Sequence, residues 1–317
     1  MAGTDTEEVY QQYYQTTALV IPLYVITIVV GVIGNGIVIR QYFIDKSIHR
    51  IFNFIITHLA VADMIICALF TPLLLVYRSH ASAMLVAYSP LCEFALFSSM
   101  LAISMQYFLF PLLAFHRKDV MLNPREPKLL FKKAKNFVYG FWATCVAVSA
   151  GLVGMAWYIF LHRETGEPKF YRCLLINTGI DAFTLYFLIY SAAQYGMSIM
   201  ITVYFYYKVW QGLNTKTTGL NASAEERHIT KLCFWLAIVY TCCWTPFLVV
   251  QVSGIFGRYS EIYFNMHACS SAVGVIGSAI NPMIYVFMDP YYKRAFLKFL
   301  GACSDNCKVD AAIPHSS

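Results

Sequence analysis

Seven apolar stretches, each long enough to cross a bilayer, leave this chain little freedom in its fold. They fall at about 18–41, 52–77, 90–115, 137–161, 183–208, 230–256 and 262–288. A helix needs roughly 20 apolar residues to span the hydrocarbon. Lipid offers no partner for a backbone N–H or C=O, so segments of this length cross as helices whose backbone pairs internally. The loops between them are short, leaving no room for a second soluble domain, and no internal repeat is evident. The expected fold class is therefore an all-α membrane protein. Composition agrees, because only 13% of residues are charged, against about 25% in soluble domains.

Orientation follows from the basic residues. The first Lys or Arg is Arg40, and the amino terminus is acidic at Asp5, Glu7 and Glu8. Only Arg78, Arg163, Lys169, Arg172 and Arg258 fall on the amino-terminal side of the bilayer, which leaves 18 of the 23 Lys and Arg on the other. The positive-inside rule then places the amino terminus outside and the tail inside. The formal net charge of +6 reads as a topology signal with anionic membrane lipids as neighbours, and gives no argument for nucleic acid. The first 17 residues are polar and lack the basic start of a signal peptide, so span one is expected to serve as its own signal. The sequon Asn221-Ala222-Ser223 falls on the cytoplasmic side, where glycosylation is not expected.

Of the ten cysteines, Cys67, Cys145, Cys233, Cys242 and Cys243 lie within spans, where Cys behaves as a small apolar residue. Cys92 and Cys173 both fall on the outer, oxidising side and are able to pair. Cys269 is left over on that side, expected to pack against the bundle or to meet another chain. Cys303 and Cys307 follow a short amphipathic segment just inside the membrane, a setting for palmitoylation. No enzyme constellation is present: His267 and Cys269 do not share a helix face, and His58, His116 and His228 have no partner at ligand spacing. No metal or cofactor is expected.

Within the spans, a few costly residues suggest movement. Asn281-Pro282 in span seven removes one helix hydrogen bond and adds a polar side chain in hydrocarbon. A chain that keeps such a defect needs it to bend, which points to a switch and not an inert anchor. Asp63 lies deep in span two; a carboxylate there costs roughly 2.5–3.5 kcal/mol on insertion scales and calls for partners. Asn35, Asn281 and Gln106 are the available ones. Arg117 ends span three, and Glu225 or Glu226 ahead of span six can pair with it, holding the two spans together. Trp244 and Pro246 give span six a kink beside a large aromatic, and Tyr204 and Tyr285 add tyrosines near the same end.

One such mark occurs in each span: Gly34-Asn35, Leu59 to Asp63, Cys92 with Phe115-His116-Arg117, Trp142, Tyr204, Cys243 to Pro246, and Asn281 to Tyr285. In that order they resemble the class A, rhodopsin-like G-protein-coupled receptors, over nearly the whole chain from Asn35 to Leu300. The resemblance implies a receptor domain over 18–300, between tails at 1–17 and 301–317, with a membrane-parallel eighth helix over 290–300. It implies a Cys92–Cys173 disulfide, a plasma-membrane location, and Arg117, Tyr204 and Tyr285 rearranging to admit a heterotrimeric G protein, with arrestin as a possible second partner. Three departures carry expectations of their own. His116 replaces the acid usual before the Arg, which leaves Glu226 as the lock and implies basal activity. Gly196 replaces a proline in span five, and Pro111 should kink span three. Gln106 stands where a small hydroxyl residue helps hold sodium, so a sodium site like the family's is not expected.

The resemblance narrows the ligand. Ser99 stands where amine receptors carry an Asp, which disfavours biogenic amines, and Val275 stands where opsins carry the retinal-binding Lys. An acidic, tyrosine-rich start (Tyr10, Tyr13, Tyr14) facing a basic second outer loop suits a peptide. The upper bundle at Ser98, Ser99, Gln194, Phe247, Gln251, His267 and Ser271 is mostly apolar with neutral polar groups, and suits a small uncharged, melatonin-like or lipid-like ligand. Both classes stay open, as do a receptor-fold decoy, a constitutively active orphan and, more remotely, a transporter.

Overall fold

The computed structural model describes residues 2–48, 50–78, 91–123, 127–161, 182–214, 223–256 and 261–302. Seven of its helices are long and apolar enough to cross a membrane, and no strand occurs among the described residues. Span one is Ala2–Ile44. Span two is built from Ile51–Ile65, one wide turn at Ile66–Phe70, and Thr71–Arg78. Spans three to seven are Leu91–Leu122, Phe131–Leu161, Ala182–Asn214, Ala224–Phe256 and Glu261–Met288, and a terminal helix follows at Pro290–Phe299.

Helices overrun the apolar stretches. Spans three, four, five and six each extend by six or seven residues beyond the hydrophobic runs at the end rich in Lys and Arg. Hydropathy marks only what lies in hydrocarbon, whereas a helix continues wherever its backbone stays paired. Helix also extends back to Ala2, where extracellular tail was expected over 1–17.

Span three is the central post. In its apolar stretch 78% of residues are buried, against 22% for spans four and five. Span seven packs along both span one and span six. Its close approach to span one depends on Gly34, where an added Cβ would sit 2.6 Å from Cγ of Pro282. Gly196 has nothing within 4 Å of an added Cβ, so the missing proline in span five is not replaced by a packing need. Span three runs as one helix through Pro111. The outer surface of the bundle carries exposed large apolar side chains such as Leu19, Met200, Val249 and Phe287, as a surface solvated by lipid requires.

Two irregularities are local answers to proline. Pro72 cannot donate a helix hydrogen bond; the wide turn just before it loosens the helix, and the Ile66 carbonyl accepts from both the Thr71 N–H and, at 2.8 Å, the Thr71 hydroxyl. At the far end Asp289 caps the terminal helix, its carboxylate accepting from the Tyr291 N–H at 2.8 Å with Pro290 in the first turn. Gly301, at φ 69°, closes it with Ala302 N–H donating to Leu297. Tyr291 is tied to span one by its hydroxyl, which donates to Asp45 at 3.0 Å. Burial, then that carboxylate, push its phenol above the usual range.

Candidate functional site

The middle of the bundle holds the predicted polar network. Asp63 is fully buried. Its Oδ1 accepts from Gln106 Nε2 at 2.7 Å and its Oδ2 from Asn281 Nδ2 at 2.8 Å. Asn35 acts one turn away and for a definite reason. Pro282 removes the helix donor for the Ser278 carbonyl four residues earlier. Asn35 Nδ2 of span one donates to that oxygen at 3.0 Å. Asp63, Gln106 and Asn281 thus share hydrogen bonds, and Asn35 joins span one to span seven beside them. Both oxygens of Asp63 accept from amide donors, a pairing that a sodium ion would have to displace. Among the described residues no group of three or more His, Cys, Asp or Glu is placed to hold a metal.

At the basic end, Arg117 is 2% exposed and lies in three kinds of contact. NH1 donates to Glu226 Oε2 at 2.9 Å, NH2 to His116 Nδ1 at 2.7 Å, and the guanidinium sits 5.2 Å from the ring centre of Phe52. His116 therefore stands as an acceptor where an acid was absent, with its own proton on Nε2. Of the two candidate glutamates, Glu226 takes Arg117, while Glu225 takes Arg50 of span two at 3.2 Å. His228 adds a third tie, its Nε2 donating to the Met288 carbonyl at the end of span seven. The Glu226 end of span six is thus held to spans three and seven and to Arg50 ahead of span two. A cleft of about 590 Å³ lies beside these residues, lined by Phe52, His116, Arg117, Glu226, Asp289 and Tyr291 among others.

Sequence reasoning missed Arg50, Phe52 and His228, which match no spacing rule because their partners are up to 175 residues away. It also missed Asp119, fully buried two residues after Arg117, whose carboxylate accepts from the Leu129 N–H at 2.8 Å and fixes the loop to span four. Trp142 donates to His58 at 3.1 Å, joining spans four and two.

At the opposite end two small cavities flank Trp244. One, of about 40 Å³, is lined by Ser99, Trp244, Phe247, His267, Ser271 and Val275 among others. The other, of about 30 Å³, is lined by Tyr190, Gln194, Tyr195, Trp244, Phe247 and Gln251 among others. Ser98 lines neither; its hydroxyl donates to the Ala95 carbonyl of its own helix at 3.1 Å. Ser99 and Ser271 likewise donate to Leu96 and Ala268, each at 2.9 Å. Trp244 leans on span seven, where a Cβ added to Gly274 would lie 3.1 Å from the indole.

Three further residues singled out from the sequence are placed as follows. Tyr204 is 54% exposed and packs along its own helix, against Phe205 and Lys208. Tyr206, two residues on, faces span six instead, its ring on Phe234; two residues turn a helix by more than half a circle. Cys269 is exposed and not packed into the bundle. Tyr285 is buried beside Tyr292, rings 5.6 Å apart, with its hydroxyl unpaired. Cys173, Cys303 and Cys307 lie outside the described residues, as do the side chains of Cys92, Tyr10, Tyr13 and Tyr14.

The geometry of a bundle of seven long apolar helices, with a buried polar network at its middle, agrees with the comparisons. The family model described as 7 transmembrane receptor (rhodopsin family) matches residues 34–285. This chain belongs to that receptor family. The receptor is 22% identical to the neuropeptide F receptor of Drosophila melanogaster over 93% of its own length and 67% of the relative's. It is 25% identical to the neuropeptide Y receptor type 2 of Gallus gallus over 85% and 72%. With the KiSS-1 receptor of Mus musculus it shares 24% over 94% and 79%. Its fold matches the crystal structure of squid rhodopsin with a TM-score of 0.71 and 17% identity, covering 93% of this chain and 89% of that one. The receptor is a multi-pass membrane protein of a signalling family and not an enzyme of any class considered from its sequence.

Proposed function

We propose that this receptor lies in the plasma membrane, amino terminus outside, binds an extracellular peptide beside Trp244, and activates a heterotrimeric G protein at the Arg117 end. The observation that carries the proposal is the paired state of Arg117, held by Glu226 of span six and His116 across a cleft large enough to widen into a partner site. Releasing those bonds frees the inner end of span six, and a ligand that favours the released packing shifts the population toward it. Tyr285, buried with an unpaired hydroxyl, is a group that a second packing can satisfy. Receptors for neuropeptides F and Y among its relatives favour a peptide over the lipid-like alternative. Val275 lines the cavity and offers no amine for a retinal Schiff base.

The test is ligand-free nucleotide exchange on purified heterotrimers of the main G-protein families, comparing wild type with Arg117→Ala in lipid nanodiscs. Exchange that disappears in the variant establishes a coupled receptor and names its G protein. His116 gives one specific ground for a second reading, a receptor-fold decoy. Exchange absent from wild type and from His116→Asp and Glu226→Ala alike would favour the decoy. Arrestin and lipid partners, palmitoylation at Cys303 and Cys307, and a Cys92–Cys173 disulfide stay as parts of this proposal.

A further inference from the structure

Spans five and six part between Ile199 and Trp210 on one side and Phe234 and Cys242 on the other, leaving a groove of about 530 Å³. It shares no lining residue with either cavity beside Trp244. Its rim lies on the lipid side of the bundle, where Val203, Tyr207, Trp210 and Phe234 are exposed. No Asp, Glu, Lys or Arg side chain lines it. Lipid tails are as apolar as these walls, so apolar contact alone selects no occupant over bulk lipid. Two atoms break that indifference. Thr202 is 8% exposed and Tyr240 5%, both line the groove, and the hydroxyl of each has no hydrogen-bond partner. Thr202 is unusual in this, because Thr57, Thr144, Thr230 and Thr241 each donate to the carbonyl four residues back in their own helix. In hydrocarbon no water replaces the missing partner.

Depth decides which lipid atom can meet these hydroxyls. Trp210 and Lys231 mark the basic end of the two spans, an aromatic and a cation of the kind found where hydrocarbon meets headgroups. Thr202 lies eight residues from Trp210 along span five, and Tyr240 nine residues from Lys231 along span six. At about 1.5 Å per residue both hydroxyls sit about 12–14 Å inside, near the middle of a hydrocarbon layer about 30 Å thick. Ester groups, charged heads and a sterol's hydroxyl stay with water at the surface and fall short. An extended acyl chain, with bonds of about 1.5 Å at about 111°, advances about 1.25 Å per carbon and reaches this depth at about its tenth carbon.

We infer that the groove takes the acyl chain of a membrane phospholipid hydroxylated near the middle of that chain, its hydroxyl paired with those of Thr202 and Tyr240. All three hydroxyls both donate and accept, so each contact forms in either direction. The chain lies against Phe234, Ala237 and Ile238 of span six, in the packing where Glu226 holds Arg117. On the reading that release of this pairing activates a G protein, the lipid favours the resting packing.

The experiment reconstitutes the full-length receptor in vesicles holding equal shares of phosphatidylcholines that differ in one chain. That chain is plain stearoyl, or stearoyl hydroxylated near the ester, at about the tenth carbon, or near the methyl end. Cholesterol is present at the same mole fraction, and the lipids retained by the extracted receptor are counted by mass spectrometry. The mid-chain hydroxyl should be retained at least about fivefold above stearoyl, the factor that roughly 1 kcal/mol of hydrogen bonding supplies. Thr202→Val and Tyr240→Phe each remove one hydroxyl at nearly constant shape; each should lower that ratio, and the double variant should bring it to one. The positional series on wild type needs no variant, so it decides the matter even where a variant melts low. Equal retention of the three hydroxylated chains, preference for a hydroxyl near either end, cholesterol retained in their place, or an undiminished ratio in the double variant would overturn the inference. In vesicles made with the mid-chain lipid, ligand-free exchange should fall by about twofold or more, and unchanged exchange would strike the regulatory role. Retention reports the groove and exchange lost in Arg117→Ala reports the receptor reading, so either can fail alone.

Discussion

Span six meets opposite surroundings at its two ends. Near Glu226 its polar groups are paired: Glu225 with Arg50, Glu226 with Arg117, His228 with the Met288 carbonyl. Beside Trp244 the cavity walls keep polar atoms without partners on Gln194 and Gln251. Ion pairs hold one end together, and the other leaves two amide atoms for an added group to meet. A buried unpaired polar atom costs about 1–3 kcal/mol, so a ligand that pairs those atoms gains on binding what the resting receptor forgoes. The paired end resists the same movement. The contrast is what a two-state switch needs, with each end biased by a different partner.

The largest test removes the shared element. Arg117→Ala should bring G-protein exchange below about a tenth of wild type at matched surface expression, as a site that recognises its partner through one buried cation loses it. Retained exchange would mean that the satisfied end is only a structural clamp.

Next comes packing that holds both ends on one frame. Gly34→Ala should lower thermal stability by about 1–3 kcal/mol, because Pro282 is a rigid ring that cannot retreat from a Cβ placed 2.6 Å from its Cγ. Gly196→Ala should be neutral or stabilising by about 0.5–1 kcal/mol, with open space around it and a helix-favouring residue gained. Equal melting temperatures for the two variants would contradict the packing.

Within the paired end, the two bridges should rank. Glu226→Ala frees an Arg117 that is 2% exposed, and should raise ligand-free exchange about fivefold, the effect of roughly 1 kcal/mol. Glu225→Ala frees an Arg50 that is 53% exposed, and should change it less than twofold, since exposed pairs contribute little. A reversed order would place the latch on span two. The smallest effect on the resting state belongs to Tyr204→Phe, which should leave melting unchanged because the side chain is exposed. Any loss of stimulated exchange in that variant would then arise in the active packing alone.

Much of the site is legible in the chain because hydrocarbon makes polarity expensive. Asp63, Asn35, Gln106 and Asn281 stand out against apolar neighbours, and each has few partners available, so their meeting follows nearly by elimination. Tyr204 shows the limit of that reasoning. It is the residue singled out in span five, yet the helix turns Tyr206 toward span six, a matter of rotation that a string of apolar residues on all sides does not encode. Arg50 and His228 were equally invisible, as charged residues near a membrane surface usually meet only water and headgroups.

By itself the sequence determined that seven helices cross a membrane and that costly groups such as Asp63 and Pro282 sit inside them, because length, hydropathy and the loss of a backbone donor are properties of a local segment. It also carried the ordered marks by which the family is recognised. Tertiary structure alone decided which glutamate takes Arg117, which tyrosine faces inward, and which glutamine atoms are left unpaired. Those outcomes depend on the rotation and tilt of one helix against another, set by side chains hundreds of residues apart and by single close approaches such as Gly34 on Pro282.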